Sequence, residues 1–514
     1  MTRAIYLGVD IGTSGCRALA VDSDGHILAS ATRSYSLSTP APGYVEQDAG
    51  EWIDAAFATL AELCSGGAFD PHDVRGVGVD GQSWSAIPVD ETDQVLAPTP
   101  NWMDTRAQPI CDEILGSVGP SEILRLAGNR LSPSYATAKI VWFARNRPEV
   151  YERTRWFLAS NSVIVLALTG RATLDHSQGY GLHCIDVATG EVDLAMARRL
   201  GIDPERIPPA YESTAVVGEV TESASRRTGI PAGTPVVAGG LDAACGTLGT
   251  GAYLPGQTQE QGGQAGGMSI VVDAPVADER LILSRHVVPG AWLLQGGTVA
   301  GSASLAWLTR VVGEAERVAA EAVGSDVYEE VSAAAGSVAP GSGGLVFLPY
   351  LAGERSPLWD ADARGAFLGL TLATDRGALY RAVMEGVAMS LRHNLDVAYE
   401  AGASVAELLA IGGATKSPVW MQIKADVTGL PVTVSDNDAA TPLGAAMLAV
   451  LGTGGGDVDE LVDRWVRRAV TYQPDPETAS VYERLYRVYS GLYGVLAPSM
   501  HELAAIGRRT GKPE

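Results

Sequence analysis

The sequence has few cysteines and no long hydrophobic run, and these two shortages exclude several classes of protein. Five cysteines among 514 residues, far apart and without a CxxC pair, argue against a disulfide framework or a zinc site. No window approaches eighteen uninterrupted apolar residues, so no membrane span is predicted. The opening MTRAIYLGVDIGTSG lacks a signal-peptide core. A cytoplasmic protein with reduced thiols is the simplest interpretation.

Positive charge is also scarce. The chain has 37 Lys+Arg against 60 Asp+Glu, which gives a formal net charge of −23. A general nucleic-acid surface is therefore not predicted, although a local basic pocket remains compatible with this balance. The expected partners are small molecules, and neither a nucleic acid nor a membrane is among them.

Two common nucleotide-binding signatures are missing: a Walker A motif, and GxGxxG after the first strand. Three other glycine-rich loops could expose backbone N–H groups to phosphate. They are DIGTSG (10–15), GGQAGG (262–267) and GGATKSP (412–418). The third ends a strand and starts a helix, whose positive end favours an anion. Each loop alone is weak evidence, because tight turns use glycine for steric reasons as well.

Hydrophobic periodicity predicts an α/β protein, since strand patterns alternate with helix patterns. Strands are predicted at 6–9, 17–21 and 27–29, and Asp24-Gly25 suits a type I′ hairpin between the last two. Helices are predicted at 51–65, with Gly66 just past the end, and at 301–334 and 376–400. After residue 407 the pattern reads strand, glycine turn, helix and strand, with Ser417 as N-cap and Pro418 in the first helical position.

The length predicts at least two domains, because one core rarely grows to 514 residues. Each half contains a glycine-rich loop between strand patterns. We place the boundary near 250, in GTLGTGAYLPG, which gives domains at 1–249 and 250–498. A helix is predicted to end near residue 497, and the last residues, 499–514, are predicted to be a polar, frayed tail.

Six motifs, in order along the chain, resemble the FGGY family of carbohydrate kinases in the sugar kinase/Hsp70/actin superfamily. The matching stretches are GVDIGTSGCRALAVD, GQSWSAIPVDETDQVLAPTPNWMDTRA, GGLDAACGTLG, GERSPLWDADARGAFLGL followed by YRAVMEGVA, GGATKSPVW, and TPLGAAMLA. The resemblance implies two ribonuclease-H-like (actin-like ATPase) domains with a cleft between them. It also implies transfer of the γ-phosphoryl group of MgATP to a sugar or polyol hydroxyl.

By this resemblance, Asp242 is the catalytic base, which takes the proton from the attacking hydroxyl and contacts the sugar. The alternative is an N-cap for the helix that follows, since Asp is preferred there as well. Asp10 is implied to hold Mg²⁺, against the alternative of an ordinary residue at a strand end. Arg17 is implied to add positive charge near the γ-phosphate, against the alternative of a solvated strand residue.

Further contacts with ATP and sugar are implied only by the resemblance. ATP is expected to contact Gly12, Thr13, Ser14, Arg17, Gly263, Gln264, Gly412, Gly413, Ala414 and Ser417. Lys416 lies nearby, but alone it is better interpreted as a solvated loop cation. The sugar is expected to contact Gln82, Ser83, Trp84, Trp102, Asp104, Arg106 and Asp242. For the two tryptophans, ordinary core packing is the alternative.

Three positions depart from the family pattern. D-xylulose kinases usually have GQMHG where this chain has Ser83-Trp84 after Gly81-Gln82. The second loop usually contains Gly-Thr-Ser, and here it is Gly263-Gln264-Ala265. Ala378 stands where a polar or acidic residue is typical.

These motifs are compatible with several sugar or polyol substrates. A ketopentose such as D-xylulose is the first expectation, with D-ribulose, gluconate, glycerol, erythritol and deoxy-ketoses as alternatives. A non-catalytic sugar sensor on the same fold remains a second hypothesis because of the altered loop at 263–265. An ATPase that acts on proteins is disfavoured by the GGLD and WMDTRA segments. Family members are often dimers, so a homodimer is possible.

Overall fold

The computed structural model describes residues 4–435 and 439–510. The strands are β1 Ile5–Ile11, β2 Gly15–Asp22, β3 Ile27–Ser34, β4 Glu46–Gln47, β5 Val74–Gly81, β6 Ile87–Val89, β7 Thr99–Pro100, β8 Trp156–Leu158, β9 Leu174–Asp175, β10 Ala210–Tyr211, β11 Val216–Glu219, β12 Pro235–Val237, β13 Gly240–Leu241, β14 Gln257–Gly262, β15 Gly266–Val272, β16 Ile282–Arg285, β17 Trp292–Gly296, β18 Val346–Leu348, β19 Ala366–Leu368, β20 Glu407–Ile411, β21 Val432–Ser435 and β22 Arg468–Tyr472.

The helices alternate with these strands along the chain. They are α1 Ala49–Ser65, α2 Gln108–Ser117, α3 Pro120–Ala127, α4 Ala136–Asn146, α5 Pro148–Arg153, α6 Ser160–Thr169, α7 Leu194–Leu200, α8 Glu222–Thr228, α9 Asp242–Gly249, α10 Gly301–Val312, α11 Glu314–Val323, α12 Val327–Gly336, α13 Arg376–Glu400, α14 Pro418–Thr428, α15 Ala440–Gly452, α16 Val458–Trp465 and α17 Pro476–Thr510. Among the described residues, no helix combines the length and apolarity that a bilayer crossing requires.

The predicted strands β1–β3 and helices α1, α13 and α14 are confirmed. Ser417 caps α14 as expected, because its hydroxyl accepts the Trp420 N–H. The type I′ turn at Asp24-Gly25 is wrong. Only Gly25 of the pair has a positive φ, 86°, and the Asp22 carboxylate accepts the backbone N–H groups of Asp24 and His26. The side chain of Asp22 therefore organises a longer loop than periodicity suggests.

Two further helical expectations need correction. The segment 301–334 forms three helices, since Gly313 ends the first and Gly324, with φ 72°, ends the second. The tail predicted from 499 is wrong for the residues that the structure describes. Helix α17 continues past Pro498 to Thr510, and residues 511–514 lie outside the described part.

The chain divides into two compact units. Unit 1 contains the described residues up to Leu254 together with Val271–Leu293 and Ala439–Arg467, and unit 2 contains the remainder. The predicted boundary at 250 lies close to Leu254. The prediction of two continuous domains, however, assigns Val271–Leu293 and Ala439–Arg467 to the second domain, whereas both segments pack with unit 1.

Unit 1 is built on a sheet with the strand order β11-β12-β5-β1-β2-β3, and β13 also pairs with β5. Strands β1 and β13 each pair with β5 in parallel, so the carboxyl ends of the three strands meet at one edge. Helix α15 packs against β1 and β5 at glycines. A Cβ added to Gly8 or Gly78 would lie 1.9 Å from the carbonyl oxygen of Pro442 or Ala445.

Unit 2 contains the strand order β15-β14-β20-β21-β22, in which β14, β20 and β21 are parallel and the outer pairs are antiparallel. Lys424 on α14 and Glu260 on β14 form a buried ion pair of 2.6 Å beside this sheet. Strand β14 ends at Gly262 and β20 ends at Ile411, so the two predicted glycine-rich loops follow adjacent parallel strands. The fold thereby places both loops at one edge of the sheet.

Candidate active site

Three carboxylates gather at the carboxyl edge of the unit 1 sheet. Asp10 on β1 lies directly opposite Asp80 on β5, and Asp242 follows β13, which pairs with β5 from its other side. Asp80 is buried, whereas Asp10 and Asp242 are partly exposed. Sequence reasoning found Asp10 and Asp242 but missed Asp80, because only strand pairing brings residue 80 beside residue 10.

Asp242 is the first residue of α9, and its Oδ1 accepts the N–H of the next residue, Ala243, at 2.7 Å. Leu241 occupies the N-cap position and provides no side-chain cap. The alternative interpretation of Asp242 as an N-cap is therefore wrong. Oδ1 satisfies one N–H of the first turn, while the second oxygen, Oδ2, can serve other chemistry.

Desolvation and repulsion between like charges set the electrostatics of this edge. Burial, and then the charge of Asp10, raise the pKa of Asp242 to about 7. Burial also raises the pKa of Asp10, although a hydrogen bond with Asp80 and the charge of Arg17 oppose the shift. The pKa of Asp80 is raised well above its ordinary value, by burial first and then by Asp10. A carboxyl group with a pKa near 7 is well suited to exchange protons.

The first glycine-rich loop, residues 10–15, joins β1 to β2 and lies beside these acids. Gly12 donates its N–H to the Gly15 carbonyl at 3.1 Å, and the Tyr35 hydroxyl donates to the Gly12 carbonyl. Gly12 and Thr13 are partly exposed, and Ser14 is exposed. Arg17 lies opposite Asp10 in the β1–β2 pairing. The loop thus combines accessible backbone and hydroxyl groups with a nearby cation, as phosphate binding requires.

Thr13 connects this loop to the predicted sugar side. Its hydroxyl accepts the Trp102 indole N–H at 3.0 Å and donates to Gln82 Oε1 at 3.4 Å. Gln47, which sequence reasoning missed, donates to the Thr13 carbonyl at 2.8 Å and accepts from Gln82 Nε2 at 2.9 Å. The predicted phosphate-side residue Thr13 and the predicted sugar-side residues Gln82 and Trp102 therefore form one network.

Ser83 and Trp84 lie in an aromatic cluster. The Trp84 ring packs 4.3 Å from the Tyr135 ring and 5.8 Å from the Tyr180 ring, and the Tyr180 hydroxyl donates to Ser83 Oγ at 3.1 Å. Trp84 has a φ of 61°, which is uncommon for a residue with a side chain. Its carbonyl accepts the ammonium group of the buried Lys139 at 2.8 Å, and burial lowers the pKa of that lysine to about 7.

Asp104 and Arg106 bind each other, which differs from the direct sugar contact implied by the resemblance. The Arg106 guanidinium lies 2.7 Å from Asp104 Oδ2 and 2.6 Å from Glu46 Oε1, and its centre lies 3.9 Å from the centroid of the Tyr44 ring. The side chain of Asp104 is buried, and it also accepts the Val45 N–H at 2.7 Å. This arrangement supports a role in shaping the segment 44–46, and direct sugar contact stays a prediction.

Unit 2 contains a pocket of about 570 Å³ beside its two glycine-rich loops. Its lining includes Gln264 of the first loop and Gly413, Ala414, Lys416 and Ser417 of the second, together with the apolar side chains of Trp307, Met384 and Trp420. Gly412 joins the loops: its φ is 92°, and an added Cβ would lie 2.8 Å from the Gly262 carbonyl oxygen. Flat apolar walls beside exposed loop backbone can hold a base and its phosphates.

The loop at 263–265, which departs from the family pattern, binds α10 through its own backbone carbonyl groups. The carbonyl groups of Gly263 and Gln264 accept the N–H groups of Ser302 and Ala303, each at 3.0 Å. The side chain of Gln264 stays exposed beside the pocket. The Ser417 hydroxyl is used within the fold, since it caps α14 and lies 2.7 Å from the Ser332 hydroxyl.

The stretch GERSPLWDADARGAFLGL supports the loop at 262–267 through Glu354. Glu354 accepts the Thr298 hydroxyl at 2.6 Å and the Val299 N–H at 3.0 Å, and the Thr298 carbonyl in turn accepts the Gly266 N–H. Ala378 occupies the third position of α13, where its N–H is capped by Asp375. A polar or acidic residue at that position would complete a capping box, so this departure concerns a helix end.

Comparison with known proteins identifies the family. The N-terminal domain model of the FGGY family of carbohydrate kinases matches residues 5–249, and the C-terminal domain model matches residues 268–453. The chain belongs to the FGGY family of carbohydrate kinases. It is therefore a sugar kinase, and kinases of this family use ATP.

Individual relatives agree with this assignment to the FGGY family. The xylulose kinase of Bacillus subtilis is 29% identical over 95% of this chain and 96% of its own, and the gluconokinase of the same organism is 27% identical over 97% of both. The crystal structure of xylulose kinase from Rhodospirillum rubrum superposes with a TM-score of 0.88 at 34% identity, covering 97% of this chain and 100% of that one. The predicted two-domain, actin-like α/β fold class is thus confirmed.

Proposed function

We propose that this FGGY kinase transfers the γ-phosphoryl group of ATP to a hydroxyl of a ketopentose, with D-xylulose as the first candidate. Two xylulose kinases, at 29% and 34% identity over nearly the whole chain, support this choice. The gluconokinase relative keeps an aldonate open, and the replacement of Met-His by Ser83-Trp84 keeps D-ribulose, glycerol and erythritol as alternatives.

The observation that carries the proposal is the carboxylate of Asp242, whose pKa is raised to about 7 at the end of three parallel strands. In the proposed reaction the sugar hydroxyl oxygen forms a bond to the γ-phosphorus while the bond from that phosphorus to the bridging oxygen of ADP breaks. Asp242 accepts the hydroxyl proton as this occurs. The backbone of Gly12, Thr13 and Ser14, with Arg17, orients the transferred group.

The residues of unit 1 also fit a magnesium ion. Asp10 would hold it, since Mg²⁺ prefers carboxylate oxygens and retains several waters. The two oxygens of the buried Asp80 have no hydrogen-bond donor among the described residues and lie beside Asp10, so ionisation of both carboxyl groups would require a cation there. When bound, the ion would supply charge neutralisation for the phosphates.

Release of ADP, measured with MgATP over a panel of ketoses, aldonates and polyols, tests the proposal. A kinase of the proposed class turns over with a ketopentose well above the control without sugar. Fastest turnover with gluconate or glycerol would replace the substrate and keep the reaction. A sugar that raises the melting temperature without any turnover would instead indicate a sensor and contradict the proposal.

A further inference from the structure

Asp80 lies in an environment where an ionised carboxylate needs a hydrogen-bond donor or a cation nearby. It is fully buried, and neither of its oxygens receives a hydrogen bond from a described donor. It lies within hydrogen-bonding reach of Asp10, which is itself a carboxylate. A buried charge without a partner is costly, and a second negative charge beside it increases that cost. Either a shared proton or a cation between the two groups relieves the repulsion.

The position favours a cation. Asp10 and Asp80 end adjacent parallel strands at the edge where the phosphate loop begins, and Arg17 is the basic residue opposite Asp10. Mg²⁺ in phosphoryl-transfer sites is commonly held by one or two carboxylates and completes its shell with water and phosphate oxygens. Two neighbouring carboxylates therefore provide the number of protein ligands that Mg²⁺ usually has in such sites.

We propose that Asp80 binds the catalytic divalent ion together with Asp10, so that the protein part of the metal site consists of two carboxylates. This inference rests on the proposed magnesium site at Asp10. It assigns Asp80 to the metal, although its strand leads directly into the sugar-side residues Gln82 and Ser83.

Binding of Mn²⁺ alone, followed by the electron paramagnetic resonance of the free ion, tests the assignment without catalysis. Asp80→Asn should weaken Mn²⁺ binding about tenfold or more, as Asp10→Asn should. Asp24→Asn is the matched control, because Asp22, Asp24 and His26 form another group whose ligand atoms lie within 4.8 Å of one another. Sugar binding, measured by calorimetry, should stay unchanged in Asp80→Asn.

Several outcomes would overturn the assignment. They are equal Mn²⁺ affinity in the wild type and Asp80→Asn, no Mn²⁺ binding by the wild type, or a loss in Asp80→Asn of sugar affinity alone. The rise in melting temperature produced by Mg²⁺ gives a second readout, and it should shrink in a folded Asp80→Asn protein. Sugar turnover is measured separately, so a protein that binds Mn²⁺ through Asp80 but phosphorylates no sugar contradicts only the proposed function.

Discussion

Trp102 donates its indole N–H to the Thr13 hydroxyl at 3.0 Å, and this bond connects the predicted sugar-side segment to the predicted phosphate loop at residues 10–15. Thr13 also bonds Gln82 and, through its carbonyl, Gln47. Within unit 1, residues separated by up to 89 positions in sequence therefore share one hydrogen-bond network. A substitution on the predicted sugar side should consequently alter the position of the loop at residues 10–15.

Trp102→Phe should lower kcat/KM several-fold while keeping the fold. The phenyl ring retains most of the apolar contact but removes the donor, and one such hydrogen bond contributes about 1 kcal/mol. Steady-state kinetics with both substrates varied measures the effect. Trp156→Phe, on β8 beside Arg155, is the control and should leave the kinetics unchanged. Identical constants for Trp102→Phe and the wild type would show that the bond does not position the loop.

Asp242→Asn should depress turnover by about 10²-fold or more, because the amide cannot accept the hydroxyl proton. Sugar binding, measured by calorimetry, should stay near that of the wild type, which separates loss of the base from loss of the site. Turnover that survives the substitution would remove Asp242 as the base.

The raised pKa of Asp242 also sets the sign of two pH effects. Because the base must be ionised, wild-type kcat/KM should rise as the pH increases through about 7. The folded state disfavours the ionised form of Asp242. Ionisation therefore destabilises the fold increasingly as the pH rises from the ordinary pKa of 3.8 to about 7, and by a constant amount at higher pH. Asp242→Asn should therefore raise the melting temperature well above pH 7 and have little effect near pH 4. An equal shift at both pH values would contradict this origin.

The sequence predicted those strands and helices whose formation depends on neighbouring residues in the chain. Strands β1 to β3 follow from apolar alternation, and α14 follows from Ser417 and Pro418 at its start. The three-helix division of 301–334 was missed because glycines in a helical pattern are ambiguous until their φ angles are known, as at Gly324. Residues 499–514 were predicted to be a frayed tail because of their polar composition, whereas helix α17 continues past Pro498 to Thr510.

The sequence predicted only those residues of the candidate site that lie within a recognisable motif. Asp10, Thr13 and Asp242 lie in motifs that resemble the family pattern. Asp80 and Gln47 have no such signal, since their proximity to the site arises from strand pairing and from a long-range hydrogen bond. The pairing of Arg106 with Glu46 was equally hidden, because 60 residues separate the two in sequence.

Lys139→Met should raise KM for the sugar while leaving KM for ATP unchanged. The ammonium group of Lys139 binds the Trp84 carbonyl at 2.8 Å, and Trp84 has an uncommon positive φ that needs such support. Without the bond, the Ser83-Trp84 segment should relax away from its present conformation. Separate saturation curves for sugar and ATP measure the split. A rise in KM for ATP alone, or no change in either constant, would contradict a positioning role for Lys139.

Gly78→Ala should destabilise the protein more than its single added methyl group suggests. The added Cβ would lie 1.9 Å from the Ala445 carbonyl oxygen, so α15 would have to move away from β5, and such overpacking costs about 1–3 kcal/mol or more. Gly116→Ala on α2 is the matched control, because nothing lies within 4 Å of its Cβ position. Helix propensity predicts that this control gains up to about 1 kcal/mol. Urea unfolding monitored by fluorescence compares the two variants, and equal stability would show that α15 adapts without cost.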